Sequence, residues 1–323
     1  MSTDSGGKGE GFVHHASLYD GDEAFLAMAL PFAEEGLDAG EPVLAATTPA
    51  NIELLRDALG ARAHALDTAE TAYFGRRPVE RVSSFLRYVN RRHVRGRRTR
   101  IIAEPLWAGK SARQIAEWKR MESGLNVLLA DSGVWMICPY DTRTVPEDVA
   151  QAAVATHPAH VVGAKILPCA AYVDPDAYAA AADAPLLPPP VGADRLDGPA
   201  TPAAVRAFVR GSAAAAGLSG ARLAMAETVA NEALTCLLER GATGAEVCAW
   251  EEPGIVAWDL FATGPATSAP AAWAGFVPPG EQAGPFDGLW LMRSLCESVE
   301  IRMVDGRMRL RLRYGGKGNA ERF

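Results

Sequence analysis

Two pairs of side chains in one short stretch have the spacing that chemistry needs. The segment MAETVANEALTCLLERG (225–241) reads as a helix, with Glu227 four residues before Asn231 and Glu232 four residues before Cys236. Residues i and i+4 share a helix face, about 5–6 Å apart. A carboxylate beside a carboxamide can orient a water molecule and hold a hard cation. A carboxylate beside a thiol is a different tool, because Mg²⁺ demands oxygen ligands and sulfur suits softer metals. The same residues also suit a solvated helix face, and Cys236 suits a small buried hydrophobe.

A second set of candidates lies in the first half of the chain. His14 and His15 sit in FVHHASLY, and Glu104 and Trp107 follow RIIA. Glu122 and Asn126 are spaced i,i+4, while Cys138, Tyr140 and Asp141 end the apolar run VWMICPYD. Aromatic rings mixed with a few carboxylates and a histidine suit a pocket for a small amphipathic effector. One of two adjacent strand histidines must point away from such a pocket. Trp107 also suits a core position, and Asp141 a helix cap. Metal binding by His14, His15 and Glu104 ranks below hydrogen-bonding roles, so no metal is expected.

These residues must be positioned by two folded units. A chain of 323 residues, 49% hydrophobic and 22% charged, is long for one core. The net charge of −7 argues against a general nucleic-acid binder, and the arginine-rich RRHVRGRR (91–98) lacks interleaved aromatics, as a solvated helix end does. The five cysteines, Cys138, Cys169, Cys236, Cys248 and Cys296, form no CxxC pattern, so reduced thiols in a cytoplasmic protein are expected. The polar start MSTDSGGKGEG is unlike a signal peptide, and no apolar run of about 18 residues suggests a membrane span.

From Phe12 onward, strand and helix patterns alternate: strands at FVHHASLY, EPVLAATT, HALDT, TRIIAEPLW and VWMICPYD, with helices between them. Repeated βα units imply a parallel sheet covered by helices, whose ligands bind beyond the carboxyl ends of the strands. The expected organisation is a disordered start (1–11), a first domain (12–170), a Pro/Ala-rich linker (171–201), a second domain (202–315) and a tail (316–323). The second domain reads helix, helix, strand pair, glycine-bearing loop, helix and hairpin, the last marked by Asp-Gly. The fold class is therefore α/β, with a parallel-sheet domain followed by an α/β sandwich on a mixed or antiparallel sheet.

Residues AAGLSGARLAMAETVANEALTCLLERG and GLWLMRSLCESVEIR resemble the GHKL ATPase fold, and more narrowly the bacterial anti-sigma-factor serine kinases. Laid on without gaps, the resemblance puts the family's general-base glutamate at Glu232 and its magnesium-binding asparagine at Cys236. Asp259 falls at the aspartate that accepts from adenine, and Gly288 in the glycine-rich stretch. The other register pairs Glu227 with Asn231. Against the family pattern, Cys236 replaces an asparagine, Phe261 replaces a glycine, and Asp287 brings negative charge where relatives are often basic. These departures argue against ATP–Mg²⁺, and no other cofactor is implied.

Residues HHASLYDGDEAFL, PFAEEGLDAGEPVL, AEPLWAGKSARQ, ESGLNVLLAD and CPYDT resemble the MEDS sensory domain, which implies a RecA-like fold and small-molecule binding. No phosphate-cradling G-x-x-x-x-G-K-[ST] is present. The two resemblances together imply a cytoplasmic regulator of anti-sigma type that senses a small effector. Its expected partners are a sigma factor or an anti-anti-sigma factor, with no nucleic acid or membrane, and a homodimer is among the expected assemblies because relatives of the kinase domain tend to dimerise. Two alternatives stand beside it: an active serine kinase using Glu227 and Asn231, and a free-standing small-molecule binder.

Overall fold

A computed structural model describes residues 11–280 and 287–315 of the chain. The expected disordered start, apart from Gly11, the tail 316–323 and residues 281–286 of the loop before GLW lie outside the described residues. The chain divides into two compact units, Met1–Ala182 and Asp183–Phe323.

The first unit carries strands β1 (Val13–Tyr19), β2 (Val43–Thr47), β3 (Asp67–Glu70), β4 (Thr99–Ala103), β5 (Val134–Asp141), β6 (Ala159–Val162) and β7 (Lys165–Pro168). Its helices are α1 (Asp22–Asp38), α2 (Pro49–Leu59), α3 (Pro78–Arg92), α4 (Ala112–Leu128), α5 (Glu147–Thr156) and α6 (Pro175–Ala182). The sheet order is β3-β2-β4-β5-β1-β6-β7, parallel except for the β6–β7 pair. Strands such as VLAAT and TRIIA are buried at every position, as expected for parallel strands covered on both faces.

Local signals start the helices. Thr48 accepts from the Asn51 amide with Pro49 in the first turn of α2, and Ser111 forms a capping box with Gln114 at α4. α1 and α2 pack together over Tyr19, Val43, Ala45, Ile102 and Ile137. α4 packs with α3, α5 and α6. Period-2 alternation therefore decides each strand residue's fate: His15, Ser17 and Tyr19 share the α1 face, while His14 and Ala16 face the other way.

The second unit contains β8 (Asp194–Arg195), α7 (Pro202–Ala215), α8 (Gly220–Glu239), β9 (Gly244–Glu252), β10 (Ile255–Thr263), α9 (Asp287–Leu295), β11 (Ser298–Val304) and β12 (Arg307–Gly315). Its sheet, β11-β12-β10-β9-β8, is antiparallel throughout. The Asp-Gly hairpin forms as its sequence dictates, with Asp305 at φ 49° and Gly306 at φ 72°, the left-handed pair that a tight turn of this kind requires. Val256, Trp258 and Leu260 of β10 and Met308, Leu310, Leu312 and Tyr314 of β12 form one core with α7, α8 and α9.

The segment expected as a linker is ordered differently. Residues 171–201 contain α6, which packs on α4 in the first unit, and β8, which pairs with β9 in the second. Between them, the carbonyls of Ala184, Leu186 and Leu187 accept hydrogen bonds from Arg302, Arg309 and Arg311, and Asp183 pairs with Arg302. Alternation in RMRLRLRY puts Arg309 and Arg311 of β12 opposite the core, where, with Arg302 of β11 paired beside Arg309, they can grip passing backbone.

Candidate functional site

Two polar clusters occupy opposite faces of the parallel sheet. On the α1–α2 face, at the carboxyl ends of β1, β2 and β4, the Glu104 carboxylate accepts from Tyr19 Oη (2.7 Å), Asn51 Nδ2 (2.9 Å) and the Thr47 hydroxyl. The Glu104 backbone carbonyl accepts from Arg81 Nη2 (3.1 Å) and from the Thr71 hydroxyl. Glu104 is buried, and its two oxygens are fully engaged by neighbours on three different elements. A buried carboxylate is tolerated on such terms.

The other cluster lies beneath α4 and α5. His14 of β1, Cys138 of β5, Glu122 of α4 and His157, just past α5, all aim inward, and one ligand-type atom from each lies within 4.8 Å of the others. His14 Nε2 is 3.4 Å from Cys138 Sγ and 3.9 Å from Glu122 Oε2, and His157 Nε2 is 3.7 Å from the same oxygen. The four residues are between 0% and 4% exposed. Tyr140 meets His157 edge-on and stacks with Trp107 at 6.1 Å, while Trp107 meets Trp118 edge-on.

Burial sets the protonation states here. It pushes the Glu122 carboxyl up to about 7, opposed in part by the Arg81 charge. It drives His157 down to about 3 and holds His14 well below its ordinary value, with His157 adding to the effect. The Cys138 thiol and the Tyr140 phenol are both pushed up, first by burial and then by Glu122. Removing these charges from water is expensive, so near neutrality both imidazoles and the thiol are uncharged. Arg81, itself lowered to about 10 by burial, links the clusters: it holds the Glu104 carbonyl while its charge acts on Glu122 and Cys138.

Residues 13–158 match the family model described as MEDS, the MEthanogen/methylotroph, DcmR Sensory domain. These residues form a MEDS domain. No curated protein matches the chain.

Within the MEDS domain, the expected ligand residues separate into distinct groups. His14, Glu122, Asn126, Cys138, Tyr140 and Trp107 come together, but under α4 and α5 rather than beyond the strand ends. Glu104 belongs to the opposite cluster. His15 points to the α1 face and accepts from Trp135 Nε1 at 3.2 Å. Asp141 serves its own turn, accepting from the Arg143 backbone and guanidinium, and the Arg143 bonds hold its carboxyl below the usual range.

Two central residues were not anticipated. His157 follows a helix of no chemical character, and only its type marks it. Arg81 had a readable signal: it interrupts the apolar stripe Val79, Val82, Phe85 and Val89 of α3, and a charged residue on a buried stripe needs a partner.

In the second unit the two helical registers face different neighbours. Glu227 pairs with Arg210, and Asn231 Oδ1 accepts from Arg206 Nη1 at 3.0 Å, both arginines belonging to α7. Glu232 looks the other way, toward α9: a Cβ added at Gly288 would meet Glu232 Oε2 at 2.5 Å, so a side chain there would displace the Glu232 carboxylate. Cys236, one turn further along α8, is buried, and burial raises its thiol pKa, with Arg240 opposing.

Asp259 does not join Glu232. Its neighbours Trp258 and Leu260 enter the helix-covered core, so Asp259 points to the opposite face. There its carboxylate accepts from Arg309 Nε at 3.0 and 3.1 Å and from Arg311 Nε at 2.8 Å. Phe261, on that same face, is covered by the Arg307 guanidinium at 4.6 Å. An ATP–Mg²⁺ complex needs an adenine acceptor and oxygen ligands on one side. The residues present offer a committed aspartate on the far face and a buried thiol near Glu232, and they do not fit that group.

Proposed function

We propose that the chain is a signal-responsive regulator of transcription of anti-sigma type. Its MEDS domain senses a small ligand, and its second unit binds a sigma factor or an anti-anti-sigma factor without turning over ATP. The observation that carries this reading is the buried cluster of His14, Glu122, Cys138 and His157 with Tyr140. A purely structural core has no use for two imidazoles, a carboxyl and a thiol in mutual contact, because each forfeits hydration. Such a set is what a sensor keeps for its signal.

The second half of the reading rests on the arrangement around α8. In support, Gly288 lies against Glu232, the two positions that the resemblance to anti-sigma kinases assigns to a glycine-rich stretch and a general base, while Cys236 and Asp259 do not supply what magnesium and adenine need. A kinase working through Glu227 and Asn231 is disfavoured, because Arg210 and Arg206 already occupy both side chains.

The test is capture of partners by the full chain from the cell that makes it, followed by reconstitution with the purified partner. The expected result is a sigma factor or its antagonist bound by the native chain, with affinity altered at least several-fold in Glu122→Gln. Recovery of neither class of partner would remove the regulator reading.

A further inference from the structure

The hydrogen bonds behind the buried cluster dictate which atoms face its centre. Asn126 Nδ2 donates to the carbonyls of Ser123 (3.0 Å) and Thr156 (2.9 Å). The amide is thereby oriented, and its Oδ1 lies 3.2 Å from His14 Nδ1. An amide oxygen accepts only, so His14 carries its proton on Nδ1 and presents a bare Nε2. His157 follows the same logic: Nδ1 lies 2.7 Å from the Ala153 carbonyl, which leaves Nε2 as a lone pair. Neither His157 Nε2 nor Glu122 Oε2 has a hydrogen-bond partner, although both atoms are buried. Two imidazole lone pairs and this carboxylate oxygen thus converge around the weak Cys138 S–H donor, while the Tyr140 hydroxyl bonds to the same carboxyl group. Orphaned acceptors of this kind are costly, and a cation is the partner that converging lone pairs suit.

We propose that His14 Nε2, His157 Nε2, Cys138 Sγ and Glu122 Oε2 bind one divalent transition metal of the zinc class. Zinc takes nitrogen, sulfur and carboxylate oxygen in tetrahedral geometry with bonds of about 2.0–2.3 Å, which makes the edges of the ligand tetrahedron about 3.3–3.8 Å. The separations of 3.4, 3.7 and 3.9 Å already approximate those edges. The donor set is too soft for magnesium or calcium and suits zinc, cobalt or iron(II). On binding, the metal–sulfur bond forms as Cys138 releases its thiol proton to solvent. One thiolate and one carboxylate then neutralise the two positive charges, which a buried site requires. The Asn126 and Ala153 contacts are the outer hydrogen bonds by which histidine ligands are usually oriented.

This inference deepens the sensing reading and is separable from it. The experiment strips the full chain with a chelator and titrates it with Co²⁺ alone. The expected result is one equivalent bound, with the strong visible absorption of tetrahedral cobalt and a thiolate-to-cobalt charge-transfer band. Cys138→Ser should remove the charge-transfer band, whereas Cys169→Ser should keep it. Glu122→Gln and His157→Gln should each weaken binding at least tenfold. Asn126→Ala, a positioning change, should weaken it about 10- to 100-fold. Zn²⁺ should displace the cobalt and raise the melting temperature of the native chain. No charge-transfer band in the native chain, or a band that survives Cys138→Ser, overturns the proposal. Should Cys138→Ser not fold, unchanged affinity in both Asn126→Ala and Glu122→Gln overturns it instead. A native chain that captures its partner but gives no cobalt band defeats only the metal site; a chain that binds cobalt but captures no partner defeats only the regulator reading.

Discussion

His14 and His157 lie ring to ring, 3.9 Å between centroids, although one belongs to the first strand of the MEDS domain and the other to the end of α5. Their Nδ1 atoms are turned outward to Asn126 and Ala153, and their Nε2 atoms are turned in. Two neutral imidazoles in contact, each locked in one tautomer by a carbonyl oxygen, are arranged for something placed between them and Glu122.

The Glu104 cluster should behave as scaffold. Glu104→Gln leaves Tyr19, Thr47 and Asn51 facing an amide that can accept through one oxygen only, so at least one buried hydrogen bond is lost. The expected cost is about 1–3 kcal/mol, read as a lowered urea midpoint with an unchanged slope. Cobalt affinity at the His14–His157 cluster should change little.

Asp259 gives a sharper contrast. It is 3% exposed and satisfies two arginines, and removing one partner of a buried ion pair costs about 3–5 kcal/mol. Asp259→Ala should therefore destabilise the second unit by roughly that amount in chemical denaturation. If Asp259 instead served adenine, the same variant would keep its stability and lose nucleotide affinity.

Placing at position 236 the asparagine of the kinases that the second unit resembles should not confer their chemistry. Cys236→Asn places a carboxamide where a thiol is now buried in the apolar core with Arg240 beside it, at a cost of about 1–3 kcal/mol. Calorimetric titration of this variant with ATP–Mg²⁺ should give no binding heat, because Asp259 and Phe261 remain on the far face.

Lys110 supplies a pH signature. Its ammonium lies 4.4 Å from the centre of the Trp118 ring, and burial, reinforced by the Arg81 charge, lowers its pKa from 10.5 to about 8. A base whose folded pKa is depressed opposes folding while charged, so that penalty is present below pH 8 and is relieved as pH rises from about 8 to 10.5. Lys110→Met keeps the stem on the indole ring and removes the charge. The variant should be the more stable at pH 7, with its advantage shrinking across that window. An advantage that stays constant with pH would show that Lys110 is not the cause.

Much of this was legible in the sequence, and the failures have physical causes. The parallel sheet followed from apolar runs separated by helical stretches, and the opposed directions of His14 and His15 followed from strand alternation. The same alternation, applied to AWDLFATG, places Asp259 opposite Trp258 and Leu260; matching the motif hid what the apolar face plainly indicated. The segment 183–187 was unreadable for a different reason. It is held largely through its own carbonyls by Arg302 of β11 and by Arg309 and Arg311 of β12, and backbone acceptors leave no mark in composition. His157 joined the site only through the crossover of α5, which brings it beside a strand that is remote in sequence.

The central claim is a sensor whose output domain works without nucleotide, and direct titration of the full native chain with ATP and Mg²⁺ tests it best. The account predicts no measurable binding even at millimolar nucleotide. Micromolar affinity, lost in Asp259→Asn and in Glu232→Ala, would contradict it.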